Sequence, residues 1–185
     1  PPTPRPGSAS YASGSMITAF RLPLLLVVFA ILFVRPSHAQ PDTDAWADEL
    51  PVHTMKEAFD AAATEDKFVF VYVYAPWCPY CQRIEQNVYT DADVQQFMRE
   101  HFVMVPVNGD DPEEVHQFRG EAVAAPALMN MLGARGFPTL AFMEPSGETI
   151  GILPGAVERD DFMMLMRYVG TGAFRDQSFE AFVDE

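Results

Sequence analysis

The spacing of apolar positions changes several times along this chain, and the changes mark its elements. Phe68-Val-Phe-Val-Tyr-Val-Tyr74 is an unbroken run of β-branched and aromatic residues. A short, continuous apolar run predicts a strand buried on both faces. Phe102 to Val107 and Thr139 to Met143 predict two more strands. Pro145-Ser-Gly147 predicts a turn, after which Thr149 to Leu153 pairs back as a hairpin strand. Between the strands the spacing becomes helical. Thr54 with Glu57 makes a capping box that opens a helix through Ala63. A second helix is expected from about Pro79 to about Val88, since proline is tolerated in a first turn. Val94, Phe97 and Met98 give Asp91 to Glu100 a helical stripe. Asn108 to Glu114 reads as a loop leading into a helical turn, and Ala122 to Leu132 as a helix closed by Gly133. Asp160 to Val169 puts Phe162, Leu165 and Met166 on one helical face, stopped by Gly170. Ser178 to Val183 predicts a last short helix. After the opening helix the order is β-α-α-β-α-β-β-α. Early alternation followed by a late hairpin implies an α/β domain, with a central mixed sheet and helices on both faces.

The segment ahead of this domain has a different character. Residues 1–15 are rich in Pro, Ser, Gly and Ala, and are expected to be disordered or to lie upstream of a start at Met16. Residues 16–39 read as a secretory signal peptide. Arg21 supplies the positive region, Leu22 to Val34 the apolar stretch, and Ser37-His38-Ala39 a small-x-small cleavage site before Gln40. The apolar stretch is shorter than the roughly 20 residues of a membrane span. An uncleaved anchor is the alternative. Either way the remainder is expected outside the cytoplasm, in a bacterial periplasm. Residues 40–52 read as an acidic linker to a domain at 53–185.

Composition narrows the function classes. The chain has 185 residues, 49% hydrophobic and 21% charged, which suits one globular domain. Its formal net charge is −14; after residue 39, nine basic residues face 26 acidic ones, a net of −17. Such a surface repels nucleic acid and anionic lipid. Two cysteines exclude a zinc site of four cysteines and a disulfide-stapled mini-fold.

Those two cysteines carry the chemistry. Trp77-Cys78-Pro79-Tyr80-Cys81 falls where a buried strand becomes a helix. A helix N-terminus offers partial positive charge and unpaired N–H groups, which stabilise a thiolate on Cys78. Cys81, one turn deeper, is expected to be more buried. This asymmetry suits disulfide exchange: Cys78 attacks a substrate disulfide, and Cys81 resolves the mixed disulfide. An inert stabilising disulfide is the plain alternative, but so short a loop removes little unfolded-state entropy. No metal site is expected, because His53, His101 and His116 stand apart in sequence. A c-type haem site is excluded because Gln82 follows Cys81. Met163, Met164 and Met166 read as core filler. Asp110, Asp111, Glu113 and Glu114 read as a solvated acidic loop, and His101 and His116 as surface or helix-face residues. A second signal is Gly136-Phe137-Pro138-Thr139, just before a strand. A proline there cannot donate to the ladder, which implies a bend: a cis peptide or a simple strand entry.

With both motifs in place, roughly Thr54 to Val169 resembles a thioredoxin-fold protein. The resemblance implies Cys78 as nucleophile, Cys81 as resolving thiol and Pro138 as a cis proline. Trp77, Pro79, Tyr80, Phe137 and Thr139 are expected to bind the substrate, with tuning of the helix start as the alternative for Tyr80. Within the superfamily the chain is most similar to periplasmic SoxW-type thioredoxins and to the C-terminal thioredoxin-like domain of DsbD. The tail Tyr168-Val-Gly-Thr-Gly-Ala-Phe174 with Ser178-Phe-Glu-Ala-Phe182 resembles the SoxW-like ending. Glu85, one helical turn after Cys81, resembles an acidic residue of the DsbD domain that influences the cysteines. Pro79-Tyr80 is also the glutaredoxin dipeptide, but the Gly-Gly glutathione signature is missing. Two departures stand out. Thioredoxins carry a buried Asp six residues before the first cysteine, and here that position is Tyr72, which leaves Glu85 or a water to accept the proton of Cys81. Phe137 is bulkier than the usual aliphatic residue before the proline. The implied protein is an exported, monomeric thiol–disulfide oxidoreductase without a bound cofactor. It would reduce disulfides of partner proteins and draw electrons from a membrane thiol donor of the DsbD/CcdA type. Its rivals are a disulfide oxidant or isomerase and a non-enzymatic copper-binding chaperone.

Overall fold

The computed structural model of the chain describes Trp46, Ala47, Leu50 and residues 52–184. The expected disordered segment and signal peptide lie outside the described residues. The elements run α1 (Met55–Glu65), β1 (Phe68–Tyr74), α2 (Pro79–Asn87), α3 (Ala92–His101), β2 (Phe102–Asn108), β3 (Val115–Phe118), β4 (Glu121–Ala124), α4 (Ala125–Met131), β5 (Thr139–Met143), β6 (Thr149–Pro154), α5 (Arg159–Gly170), a 3-10 turn (Ala173–Arg175) and α6 (Phe179–Val183). Four strands form a mixed sheet in the order β2-β1-β5-β6. β1 runs parallel to β2 and antiparallel to β5, and β5 pairs antiparallel with β6. The expected thioredoxin-type arrangement, a mixed sheet with helices on both faces, is what the chain forms.

The central strand sorts its side chains by size. Phe68, Phe70 and Tyr72 join a core with residues of α2, α3 and α5, including Ile84, Met98 and Phe162. Val69, Val71 and Val73 join a second core with Met55, Ala58 and Ala62 of α1 and Leu128 of α4. Successive side chains of a strand point to opposite faces, so the aromatic–valine alternation builds one aromatic face and one aliphatic face. Local signals frame the helices as the sequence implies. Thr54 and Glu57 form the reciprocal capping box of α1. Asp91 caps α3 by accepting from the N–H groups of Asp93 and Val94, and its carboxylate also receives Arg159 at the start of α5 at 3.2 Å. That guanidinium, then the capping N–H of Val94, holds the Asp91 carboxyl below its usual range.

Three expectations need correction. The stretch read as a loop, a helical turn and the start of a helix contains instead a hairpin of β3 and β4. Arg119 and Gly120 both have positive φ, 53° and 84°, which closes a two-residue turn matched to strand twist. Pro126 in its first turn marks the true start of α4, since a proline removes an N–H that only the first turn can spare. His116 is consequently a buried residue of β3, 2.6 Å from Glu114, rather than a surface or helix-face residue. The third correction concerns residues 40–52. Trp46 and Leu50 are buried in the aromatic core, and Val52 bridges to Met104, so packing begins inside the expected linker.

Candidate functional site

The parallel pairing of β1 with β2 brings the carboxyl ends of both strands together, with Tyr74 in register with Asn108. Loops that leave such neighbouring ends share one edge of the sheet, where sites form in open α/β sheets. The β1–α2 turn is fastened by two hydrogen bonds. The Cys78 N–H donates to the Ala75 carbonyl at 3.0 Å, and the Gln82 amide donates to the Pro76 carbonyl at 2.9 Å. Cys78 then serves as the N-cap of α2, a position with extended backbone, and its Sγ accepts the Cys81 N–H at 3.3 Å. Pro79 occupies the first turn, as its missing N–H permits. Both cysteines are free thiols; Cys81 is fully buried and Cys78 nearly so. Their neighbours Trp77 and Tyr80 are 63% and 55% exposed. The pair thus lies just under the surface, flanked by two solvent-facing rings.

Beneath Cys81 lies an unusual polar cluster. Tyr72 is fully buried, and its hydroxyl donates to Glu85 Oε1 at 2.8 Å. Glu85 is 7% exposed. Tyr89 packs edge-on to Tyr72 at 5.2 Å, and Trp46 packs edge-on to Tyr72 at 5.6 Å. The Tyr89 hydroxyl and Trp46 Nε1 are buried without a hydrogen-bond partner among the described residues. Burial, and after it the hydrogen bond with Cys78, pushes the Cys81 thiol up to about 12, while the Tyr72 hydroxyl acts in the opposite sense by favouring the thiolate. Burial also drives the phenols of Tyr72 and Tyr89 well above their usual range, with Glu85 reinforcing both shifts. Both stay protonated at any physiological pH. Cys81 is therefore a thiol in the resting dithiol and must shed a proton before it can act.

The second motif closes over the first. The Phe137–Pro138 peptide is cis. The rings of Trp77 and Phe137 meet edge-to-face with centroids 5.8 Å apart, which joins the two motifs directly. Pro138 is buried, and its carbonyl accepts the Gly155 N–H at 2.8 Å. Thr139 departs from expectation. It is fully buried, and its hydroxyl donates to the Gly136 carbonyl at 2.8 Å, so its side chain holds the turn.

Sequence reasoning missed the third wall of the site. Trp77 Nε1 donates to Asp110 Oδ2 at 2.7 Å, so the acidic loop is not simply solvated. Glu114 in the same loop accepts from the Asn108 N–H at 3.2 Å and pairs with His116. Gly109 lets this loop approach: a Cβ there would sit 2.8 Å from the Phe137 ring and 2.9 Å from Met129 Sδ. A signal for this wall existed. A loop that follows a strand parallel to β1 must emerge beside the cysteines, which nominates Gly109 and Asp110. Among the described residues no group of three His, Cys, Asp or Glu side chains is placed to hold a metal ion. Also among them, no helix is long and apolar enough to cross a membrane.

The arrangement matches known proteins. A thioredoxin-fold protein from Helicobacter pylori superposes with a TM-score of 0.63 at 18% identity, covering 76% of this chain and 92% of that one. A thioredoxin from Thermus thermophilus superposes with a TM-score of 0.54 at 28% identity, covering 65% and 87%. The oxidoreductase DsbH gives 0.51 at 17% identity, covering 66% and 85%. Comparison with curated protein sequences gives no match. The family model described as a thioredoxin-like domain matches residues 55–170, the span that holds both motifs. On that match, the chain belongs to the thioredoxin-like domain family.

Proposed function

We propose that this protein is an exported thiol–disulfide oxidoreductase that reduces disulfides in partner proteins. The observation that carries the reading is the placement of Cys78 Sγ. It caps a helix, accepts the Cys81 N–H at 3.3 Å, and belongs to a turn whose Trp77 and Tyr80 are exposed. Cys78 attacks one sulfur of a substrate disulfide; that S–S bond breaks, a Cys78–substrate disulfide forms, and the other substrate sulfur leaves as a thiolate. Cys81 then attacks Cys78. The mixed disulfide breaks, the Cys78–Cys81 disulfide forms, and the second substrate sulfur departs. The substrate gains two electrons, and the cysteine pair loses them. Trp77, Tyr80 and Phe137 supply apolar area on which a substrate chain rests, and Asp110 holds the Trp77 indole in place.

The 28% identity to the Thermus thermophilus thioredoxin supports disulfide exchange. The signal-like segment at 16–39 supports export to a periplasm, and the resemblance of Glu85 and the tail to DsbD-domain and SoxW-type proteins supports the reducing direction. On this reading the protein acts as a monomer recharged by a membrane thiol donor. The test is the reduction potential of the Cys78–Cys81 pair, equilibrated in dithiothreitol or glutathione buffers and followed by thiol labelling. The reading expects a value near that of thioredoxin, about −270 mV. A value near that of DsbA, about −120 mV, would make the protein an oxidant instead.

A further inference from the structure

We propose that the cleft beside β6 docks an extended segment of a partner protein, apolar along its length and basic at its end, which adds to β6 as a further strand. The inference rests on the disulfide-reducing reading and deepens it by naming where a partner is held. β6 is an outer strand of the sheet, paired with β5 alone among the described residues. Its other edge therefore offers N–H and C=O groups to an incoming chain. Along this edge runs a cleft of about 710 Å³. Residues 150–153 all line it, although successive side chains of a strand point to opposite faces, so the cleft follows the open edge of β6. Its other walls include Leu165 and Tyr168 of α5 and Phe179 and Val183 of α6. The family match ends at residue 170, so the α6 wall is this chain's addition to the shared fold. Ile152, Phe179 and Val183 are exposed apolar side chains. A cleft of this size takes several apolar side chains, and alternate residues of an added strand supply them.

Charge selects the occupant. Asp160 and Asp161, both exposed at the start of α5, line one end of the cleft. Asp160 meets Arg159, and Asp161 has no basic partner among the described residues. The chain after residue 39 carries a net charge of −17. A second copy would set acid against acid, whereas a lysine or arginine of a partner complements Asp161. The same end adjoins the cysteine site. Val157 lines the cleft, and two residues earlier the Gly155 N–H donates to the Pro138 carbonyl at 2.8 Å. Two residues of chain span at most about 7 Å. A partner seated in the cleft thus has its basic end close to the cis-proline turn, and its disulfide meets Cys78 at a raised effective concentration.

The probe is a cysteine-free peptide of about ten residues, alternating leucine or valine with serine and carrying lysines at both ends. Its binding to the full chain is followed by fluorescence anisotropy. A twin with glutamates in place of the lysines should bind at least about tenfold more weakly. Phe179→Glu and Val183→Glu, at exposed positions, should each weaken binding about tenfold. Asp161→Lys should weaken it about fivefold, and less at high salt. Two further peptides are N-methylated on alternate amides, one along each edge of the strand. One should lose binding and the other keep it. Absence of binding, equal binding of the lysine and glutamate peptides, or indifference to the three variants would overturn the proposal. So would equal behaviour of the two methylated peptides, or self-association of the chain that Phe179→Glu abolishes in sedimentation. Reduction is scored apart. With a disulfide placed beyond its lysines, the peptide should be reduced with a kcat/KM at least about tenfold above that of its glutamate twin, through KM. Phe179→Glu should remove this advantage and leave reduction of 5,5′-dithiobis(2-nitrobenzoate) unchanged. Reduction without the advantage would overturn the docking site. Absence of all disulfide reduction with peptide binding intact would instead remove the proposed function.

Discussion

The two faces of one strand carry different work. On one side of β1, Val69, Val71 and Val73 meet small and aliphatic side chains from α1 and α4, and among the described residues that core holds no buried acid or phenol. On the other side, Phe68, Phe70 and Tyr72 meet Tyr89, Trp46, both cysteines and, beside them, Glu85. The aliphatic face gains its stability from burial that needs no directional partner. The aromatic face buries polar atoms, and each must be hydrogen-bonded or carry a desolvation cost of about 1–3 kcal/mol. Large rings span the space beneath α2, and one of them, Tyr72, presents its hydroxyl to Glu85. Chemistry collects on this side because α2 packs there. The contrast teaches that a strand reading as uniformly apolar can divide stability from reactivity by its period alone.

The largest expected effect breaks the aromatic face at its reactive atom. Cys81→Ser should abolish insulin reduction while Cys78 still attacks, trapping a mixed disulfide visible by mass spectrometry. Turnover without Cys81 would remove it as the resolving thiol. The opposite face should respond in the other currency. Leu128→Ala empties a fully buried site on α4 and should cost about 3 kcal/mol in urea unfolding, with the rate per folded molecule unchanged. A comparable loss of rate at full folding would mean that the faces are not separable.

Proton linkage gives a finer test. The Cys81 thiol is raised from an ordinary 9.0 to about 12 in the folded protein, chiefly by burial. The folded chain therefore retains a proton that the unfolded chain loses first. This contribution is complete below about pH 9 and is lost as pH rises toward about 12, by about 1 kcal/mol per pH unit. Urea midpoints between pH 9 and 11 should fall more steeply for the unaltered protein than for Cys81→Ala, in which Tyr72 and Tyr89 still titrate. Parallel curves would contradict the raised thiol. The smallest effect separates scaffold from chemistry within the aromatic side. Asp91→Ala removes the cap of α3 and the Arg159 contact, and should cost about 1 kcal/mol without changing the rate of disulfide reduction per folded molecule. Because the Asp91 carboxyl is lowered in the folded state, its contribution should disappear as pH falls through that lowered value. Acid titrations of the two proteins by circular dichroism should therefore converge at low pH.

Much of this molecule is legible in its sequence, and the failures share a cause. The strand Phe68–Tyr74, the Thr54–Glu57 box and the Cys78 turn are local patterns whose partners lie within a few residues. The hairpin after β2 is hidden because Glu-Ala-Val-Ala-Ala resembles a helix by propensity, which masks the Arg119-Gly120 turn ahead of it. Trp46 and Leu50 are hidden because two apolar residues in an acidic stretch have no period. The place of Thr139 in its motif points to the substrate, but its hydroxyl is committed to Gly136.

The sequence by itself determined the period of each strand, most helix starts, and the setting of Cys78 and Cys81 at a strand-to-helix junction. These follow from interactions between residues near one another along the chain. Only the tertiary structure decided what surrounds the cysteines. Tyr72 meets Glu85 across 13 residues, and Trp77 meets Asp110 across 33. Those distances close only when β1 pairs with β2 in one register and α2 packs on the aromatic face. A shift of one residue would turn Tyr72 away from Cys81 and put a valine in its place.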